Sequence, residues 1–183
     1  MNATTNPSER REILQLVRAV VEAHTVGHCL SETVASGVLA RRGGAFVTIT
    51  VDGDLRGCIG HLEQDQPLRD VLRRCAIAAS SEDPRFAPLS AEEARRARFE
   101  VSLVGPIEVV TDLATIEVGR HGLVAEHRGR HGLLLPQVAS EHGWDLHTFL
   151  SQTCVKAGLV ATTWQSGATI SKFEADVFGE DSD

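Results

Sequence analysis

Apolar side chains recur at Ile13, Leu14, Val17, Val20 and Val21. That three-and-four spacing keeps them on one helical face and predicts a helix that Ser8 caps and that stops near Gly27. At residues 45–51 (AFVTITV) the pattern changes to β-branched and aromatic side chains, the mark of a strand. Asp52-Gly53 follows, a two-residue turn signal, so residues 54–60 should return as the second strand of a hairpin. With an unbroken register Val51 faces Asp54, Ile49 faces Arg56 and Val47 faces Cys58. The period of two then puts Arg56 and Cys58 on one face, with Leu55, Gly57 and Ile59 on the other.

Pro67 opens a second helix whose buried side carries Leu68, Val71, Leu72, Cys75 and residues 77–79. Residues 81–88 form a loop stiffened by Pro84 and Pro88, and Ser90 caps a short helix, AEEARR. Residues 99–104 alternate as a strand, and Gly105-Pro106 separates them from a second strand at 107–110. The run GRHGL occurs at 119–123 and again at 129–133. Two copies are too few for a solenoid, and a hairpin of 121–127 with 130–135, turning at Arg128-Gly129, explains them. His131 then faces Glu126 while His121 lies on the opposite face, so the two histidines do not share a metal. Asp145 caps a helix through Ala157 that ends at Gly158, with Phe149, Leu150, Cys154 and Val155 as its core stripe. Residues 169–178 (TISKFEADVF) alternate as a last strand. Antiparallel hairpins interspersed with helices indicate an α+β fold.

The chain has 183 residues, 42% of them hydrophobic, enough for one domain with a true core. Its 25 acidic residues outnumber 18 basic ones, for a formal charge of -7 that works against nucleic acid and anionic membranes as partners. A local basic groove would have to come from Arg41, Arg42, Arg56, Arg69, Arg73 and Arg74. No apolar run approaches the roughly 18 residues that span a bilayer, and the start, MNATTNPSERRE, is too polar for a signal peptide. A cytoplasmic location is expected, with residues 180–183 as an acidic, solubilising tail. Cys29, Cys58, Cys75 and Cys154 are widely spaced without a CxxC pair, so free thiols are expected. His24 and His28 have a chelating spacing beside Cys29 but lack a nameable further ligand, and no metal is assigned. Walker, GxGxxG and GxSxG motifs are absent, as are the closely spaced cysteines of a radical SAM cluster, so the cofactor stays unassigned.

The candidate chemistry lies in LRGCIG, residues 55–60. Cys58 is the candidate nucleophile, and Arg56 on the same face is the cation that would stabilise its thiolate or hold an anionic ligand. Gly57 and Gly60 remove side chains that would block a ligand's approach to the backbone. His61, His131, Glu100 and Asp83 are the candidate acids and bases. Glycines beside a strand cysteine also suit close packing alone.

LRGCIG, DPRF at 83–86, EVSLV at 100–104, GLLLPQVA at 132–139 and KAGL at 156–159 occur in one order. In this the chain resembles the AMMECR-type domain family (AMME syndrome critical region; AmmeMemoRadiSam system protein A) from about residue 34 to 178. The stretch 160–163 lacks the proline-rich linker of many relatives. The resemblance implies an α+β fold in two unequal subdomains with antiparallel sheets and flanking helices. The smaller would be inserted at 31–90, and the larger would hold 1–30 and 91–183. It further implies a cleft onto which LRGCIG looks, but no established reaction. From the residues themselves, Arg56, Gly57, Gly60, Asp83, Arg85, Glu100 and His131 are the expected ligand-binding residues around a catalytic Cys58. The expected partners are a Memo-like protein, a radical SAM protein and a small anionic ligand. Two functions stay open: an enzyme or enzyme subunit with a reactive Cys58, and a non-catalytic adaptor or small-ligand-binding module.

Overall fold

A computed structural model of the chain describes residues 5–30 and 35–180. The expected subdomain boundary at Ser31 and the acidic tail at 181–183 lie outside the described residues. The described residues divide into two units, one of 5–30, 35–104 and 176–180, the other of 105–175. Both combine helices with antiparallel strands, as an α+β fold requires.

The first unit begins with helix α1 (Pro7–Thr25). Asn6, rather than Ser8, is its N-cap: Asn6 Oδ1 accepts from the Glu9 amide at 3.0 Å, and Glu9 Oε2 accepts from the Asn6 amide at 2.9 Å. This capping box satisfies two orphan donors, and Pro7 at the first helical position needs none. Strands β1 (Gly44–Val51) and β2 (Asp54–His61), helices α2 (Leu68–Ser81) and α3 (Ala91–Arg96), and strand β3 (Ala97–Val104) follow. β1 pairs antiparallel with both β2 and β3. Its alternate residues Ala45, Val47, Ile49 and Val51 enter one core with Ile13, Val17 and Val21 of α1 and Val71, Leu72 and Cys75 of α2. Phe99 and Val101 of β3 complete it. The chain's last described residues return to the same unit, where the Glu180 amide donates to Phe99 O at 3.2 Å.

The expected 31–90 subdomain therefore matches neither unit. Residues before 31 and after 90 share the core of the intervening segment, because α1 packs on α2 and β1 hydrogen-bonds to β3.

The second unit contains strands β4 (Glu108–Val109), β5 (His121–His127) and β6 (Arg130–Leu134), helices α4 (Pro136–Glu141) and α5 (Leu146–Lys156), and the first part of strand β7 (Thr169–Gly179). β5 pairs with β6 and with β7. Glu126 faces His131 as the turn predicted, with φ of 50° at Arg128 and 78° at Gly129. Asp145 caps α5 by accepting from the Thr148 amide at 2.8 Å. Leu123, Ala125, Phe149, Leu150 and Cys154 are fully buried together, whereas Val155 is 51% exposed and falls outside the expected stripe. His121 is buried, and its Nδ1 accepts from the Glu117 amide at 2.9 Å. Among the described residues no helix is long and apolar enough to cross a membrane.

Candidate functional site

The β1–β2 hairpin turns at Asp52 and Gly53, with φ of 54° and 92°. Positive φ at both central residues matches the twist of the flanking strands, as a type I′ turn does. Val51 faces Asp54 and Thr50 faces Leu55, but Ile49 then faces Gly57 and Thr48 faces Cys58. Arg56 is the extra residue of a β-bulge. The expected pairs Ile49 with Arg56 and Val47 with Cys58 are thus corrected, because one residue of β2 has no partner on β1. Leu55, facing Thr50, shares the Cys58 side, while Gly57 lies on the other. Across the pair, the Thr48 hydroxyl donates to Cys58 Sγ at 3.3 Å.

The two glycines serve packing. A Cβ on Gly57 would stand 1.9 Å from the Ala79 carbonyl oxygen of α2, so only glycine admits the helix this closely. A Cβ on Gly60 would stand 2.1 Å from the ring of Phe46, which lies across it from β1.

β2 is the edge strand of the first unit, and the backbone polar groups of Cys58 are satisfied from the 83–85 loop. Asp83 Oδ2 accepts from the Cys58 amide at 2.9 Å, and Arg85 Nη2 donates to Cys58 O at 3.5 Å. Two side chains thereby take the place of a neighbouring strand. Arg85 also grips Asp83 through Nε at 2.9 Å and Nη2 at 2.6 Å. Pro84 stiffens the turn between them, in which the Phe86 amide donates to Asp83 O at 3.1 Å. Only 3% of the Asp83 side chain is exposed, against 51% for Arg85. The Arg85 guanidinium, helped by the Cys58 amide, holds the Asp83 carboxyl well below the usual carboxylate range, and burial opposes the shift.

Arg56 is engaged elsewhere. Its Nε donates to Glu93 Oε1 at 3.1 Å and its Nη2 lies 3.0 Å from the same oxygen. Glu93 in turn caps α3, accepting from the Ser90 amide and hydroxyl, both at 2.9 Å, and these bonds lower its pKa. Arg56 and Arg85 flank the Phe86 ring, 5.8 and 5.2 Å from its centroid. The guanidinium nearest the Cys58 backbone is therefore that of Arg85, not the expected Arg56.

Glu100 faces Thr48 across β1 and β3, so Cys58, Thr48 and Glu100 form one row over three strands. Adjacent strands are about 4.8 Å apart, which separates the ends of the row by roughly 10 Å. His61 Nδ1 lies 3.6 Å from Glu63 Oε2. His131 is an exposed residue of β6 in the other unit. His24 Nε2 meets Ser81 Oγ at 3.1 Å, and among the described residues no three His, Cys, Asp or Glu side chains are grouped to hold a metal ion. Arg41 pairs with Glu9, Arg69 with Asp70 at 2.8 Å, and Arg42 and Arg73 reach the carbonyls of Asp65 and Leu30. Thr48 and Glu93 were not singled out by sequence, and Phe86 only as part of DPRF. Glu93 had a readable sign in its capping-box spacing from Ser90, but Thr48 depends on the bulge.

Residues 14–178 match the AMMECR1 family profile. A protein of Methanothermobacter thermautotrophicus is 39% identical over 188 residues, covering 98% of each chain. One of Methanosarcina barkeri is 39% identical over 182 residues, covering 94% of this chain and 90% of the relative. The crystal structure of an uncharacterised protein from Pyrococcus horikoshii superposes with a TM-score of 0.90 at 33% identity, covering 97% of this chain and 94% of the other.

Proposed function

The chain belongs to the AMMECR1 family, and from that premise we propose that it is an enzyme or enzyme subunit working at the Cys58 edge of β2. In this reading Cys58 is the reacting thiol, and Arg56 and Arg85 hold the anionic group of a small substrate against Phe86. The observation that carries it is the Thr48 hydroxyl donating to Cys58 Sγ at 3.3 Å. A donor aimed at sulfur favours charge developing there, and a cysteine kept only as a packing sphere does not need one. Asp83, Arg85 and Glu100 remain the proposed ligand-binding companions, with a reducing cytoplasm as the setting for a free thiol.

Paired alkylating agents test this reading. Iodoacetate and iodoacetamide each form an S–C bond and release iodide, but only iodoacetate is anionic. Cys58 should prefer iodoacetate, relative to iodoacetamide, more than glutathione does, and Arg56→Ala or Arg85→Ala should abolish that preference. A wild-type ratio equal to that of glutathione refutes anion recruitment at the thiol.

A second reading is favoured by the exposure of Pro84, Arg85, Ala87 and Pro88 and by the ion pairs already holding both arginines. Here the same loop is a docking surface for a protein partner, such as the Memo-like or radical SAM protein the family resemblance implies. Cys58→Ser would then leave a pull-down of either partner intact, and Arg56→Ala would weaken it.

A further inference from the structure

We infer that α1 carries a second ligand site, a groove of about 410 Å³ that takes a small carboxylate with a compact apolar body. It lies in the first unit, between α1 and the returning residues 178–180. Exposed Pro7 and the hydrocarbon stems of the arginines supply apolar surface above the buried Leu14 and Phe178, and Arg10 and Arg18 form two of its walls.

Both wall arginines are held in place. Arg10 pairs with Asp176 at 2.7 Å and sits 5.3 Å above the centroid of Phe178. Arg18 grips Glu180 with two bonds of 2.7 Å, pairs with Glu22 at 3.2 Å, donates to Ala97 O at 2.9 Å, and lies 4.8 Å over Phe99. Guanidinium groups fixed in this way lose little further freedom when a ligand arrives.

Arg11 and Gln15 differ from them. They stand one helical turn apart on the groove, both exposed, and their side chains make no hydrogen bond or ion pair with any described residue. The groove thus contains unengaged donors: a planar guanidinium suited to two-point binding of a carboxylate, and an amide beside it.

Charge selects the ligand class. Arg10 is paired with Asp176, and Arg18 with Glu180 and Glu22, which leaves the Arg11 guanidinium as the unpaired cation of the groove among the described residues. One unpaired guanidinium matches a monoanion, while a phosphate dianion would leave negative charge uncompensated. The volume lies near the lower end of small-ligand pockets, roughly 300–1,000 Å³, which limits the apolar body to one or two rings or a short branched chain.

NMR titration of the ¹⁵N-labelled full chain with 2-naphthoate tests the site. Amide shifts should centre on the first three turns of α1 and on residues 178–180. Arg11→Ala should weaken binding about fivefold or more, the loss expected for one charged contact at a partly exposed site. Gln15→Glu, which sets a competing carboxylate one turn from Arg11, should weaken it as well. Both side chains are unpartnered, so an unchanged Tm will show that the variants fold. Neutral 2-naphthalenemethanol and inorganic phosphate should each bind more weakly than 2-naphthoate. Shifts centred elsewhere, an unchanged Kd in Arg11→Ala, or either control binding as tightly as 2-naphthoate would overturn the assignment.

Discussion

Removing the Asp83 carboxylate should cost the first unit more than any other single contact at the site. In Asp83→Ala the Cys58 amide loses a charged acceptor at 2.9 Å on an edge where no strand can replace it. A part-buried donor losing a charged partner costs about 1.5–3 kcal/mol. The ion pair with Arg85 adds less, about 1 kcal/mol at most, because half of that guanidinium is in water and its charge is screened. The expected loss is about 3 kcal/mol. Asp83→Asn keeps an acceptor oxygen and should lose about half as much, and Arg85→Ala about 1 kcal/mol. Urea unfolding at pH 7 measures all three. The pH dependence supplies an independent check. Asp83 ordinarily titrates near 3.8 and is held well below that value in the fold. Its contribution is complete above pH 3.8 and drains away as pH falls through the folded value. The gap between wild type and Asp83→Asn should therefore be constant near neutrality and close in acid. An Asp83→Ala protein within about 0.5 kcal/mol of wild type, the ordinary range of surface changes, would refute the view that this side chain replaces a strand.

Gly57→Ala should destabilise by about 3 kcal/mol in the same assay, since its Cβ would meet the Ala79 carbonyl at 1.9 Å and a helix backbone cannot step aside cheaply. Cys75, buried and with its thiol pushed up to about 11 by desolvation, should remain unalkylated in native protein at pH 8 and react only after urea is added, as mass mapping would show. His121 has its pKa lowered by burial and must stay neutral at Nδ1 to accept from Glu117. Its contribution is full above the ordinary value of 6.5 and falls as pH drops below it, because the unfolded chain takes up a proton that the fold resists. His121→Gln should flatten the stability slope just below pH 6.5.

Local chemistry was legible in the sequence wherever a few neighbouring residues decide it. The Asp52-Gly53 turn, the Ser90 and Asp145 caps and the Glu126 with His131 pair needed only turn geometry and short-range hydrogen bonds. At α1 the cap was expected at Ser8, and it lies at Asn6 because Pro7 and Glu9 complete its box. The bulge was not legible: no local signal at Arg56 distinguishes a paired residue from an extra one, and that single residue moves Cys58 from Val47 to Thr48. Nor were the Cys58 contacts with Asp83 and Arg85, which come from a loop 25 and 27 positions away. LRGCIG and DPRF were both singled out, yet only the strand edge explains why they meet. The unit boundary was missed for a similar reason, since the shared core of α1, α2 and β3 depends on contacts that span the expected break.

Asp83 binds Cys58 through the main chain, whereas Thr48 binds it through sulfur. Any residue except proline at position 58 offers Asp83 the same amide. The thiol can consequently be exchanged without opening the strand edge, and the edge can be opened without touching the thiol. Loss of function in Cys58→Ser, with its unfolding curve superimposable on the wild type, would therefore report on sulfur alone, a separation of chemistry from folding that few half-buried cysteines permit.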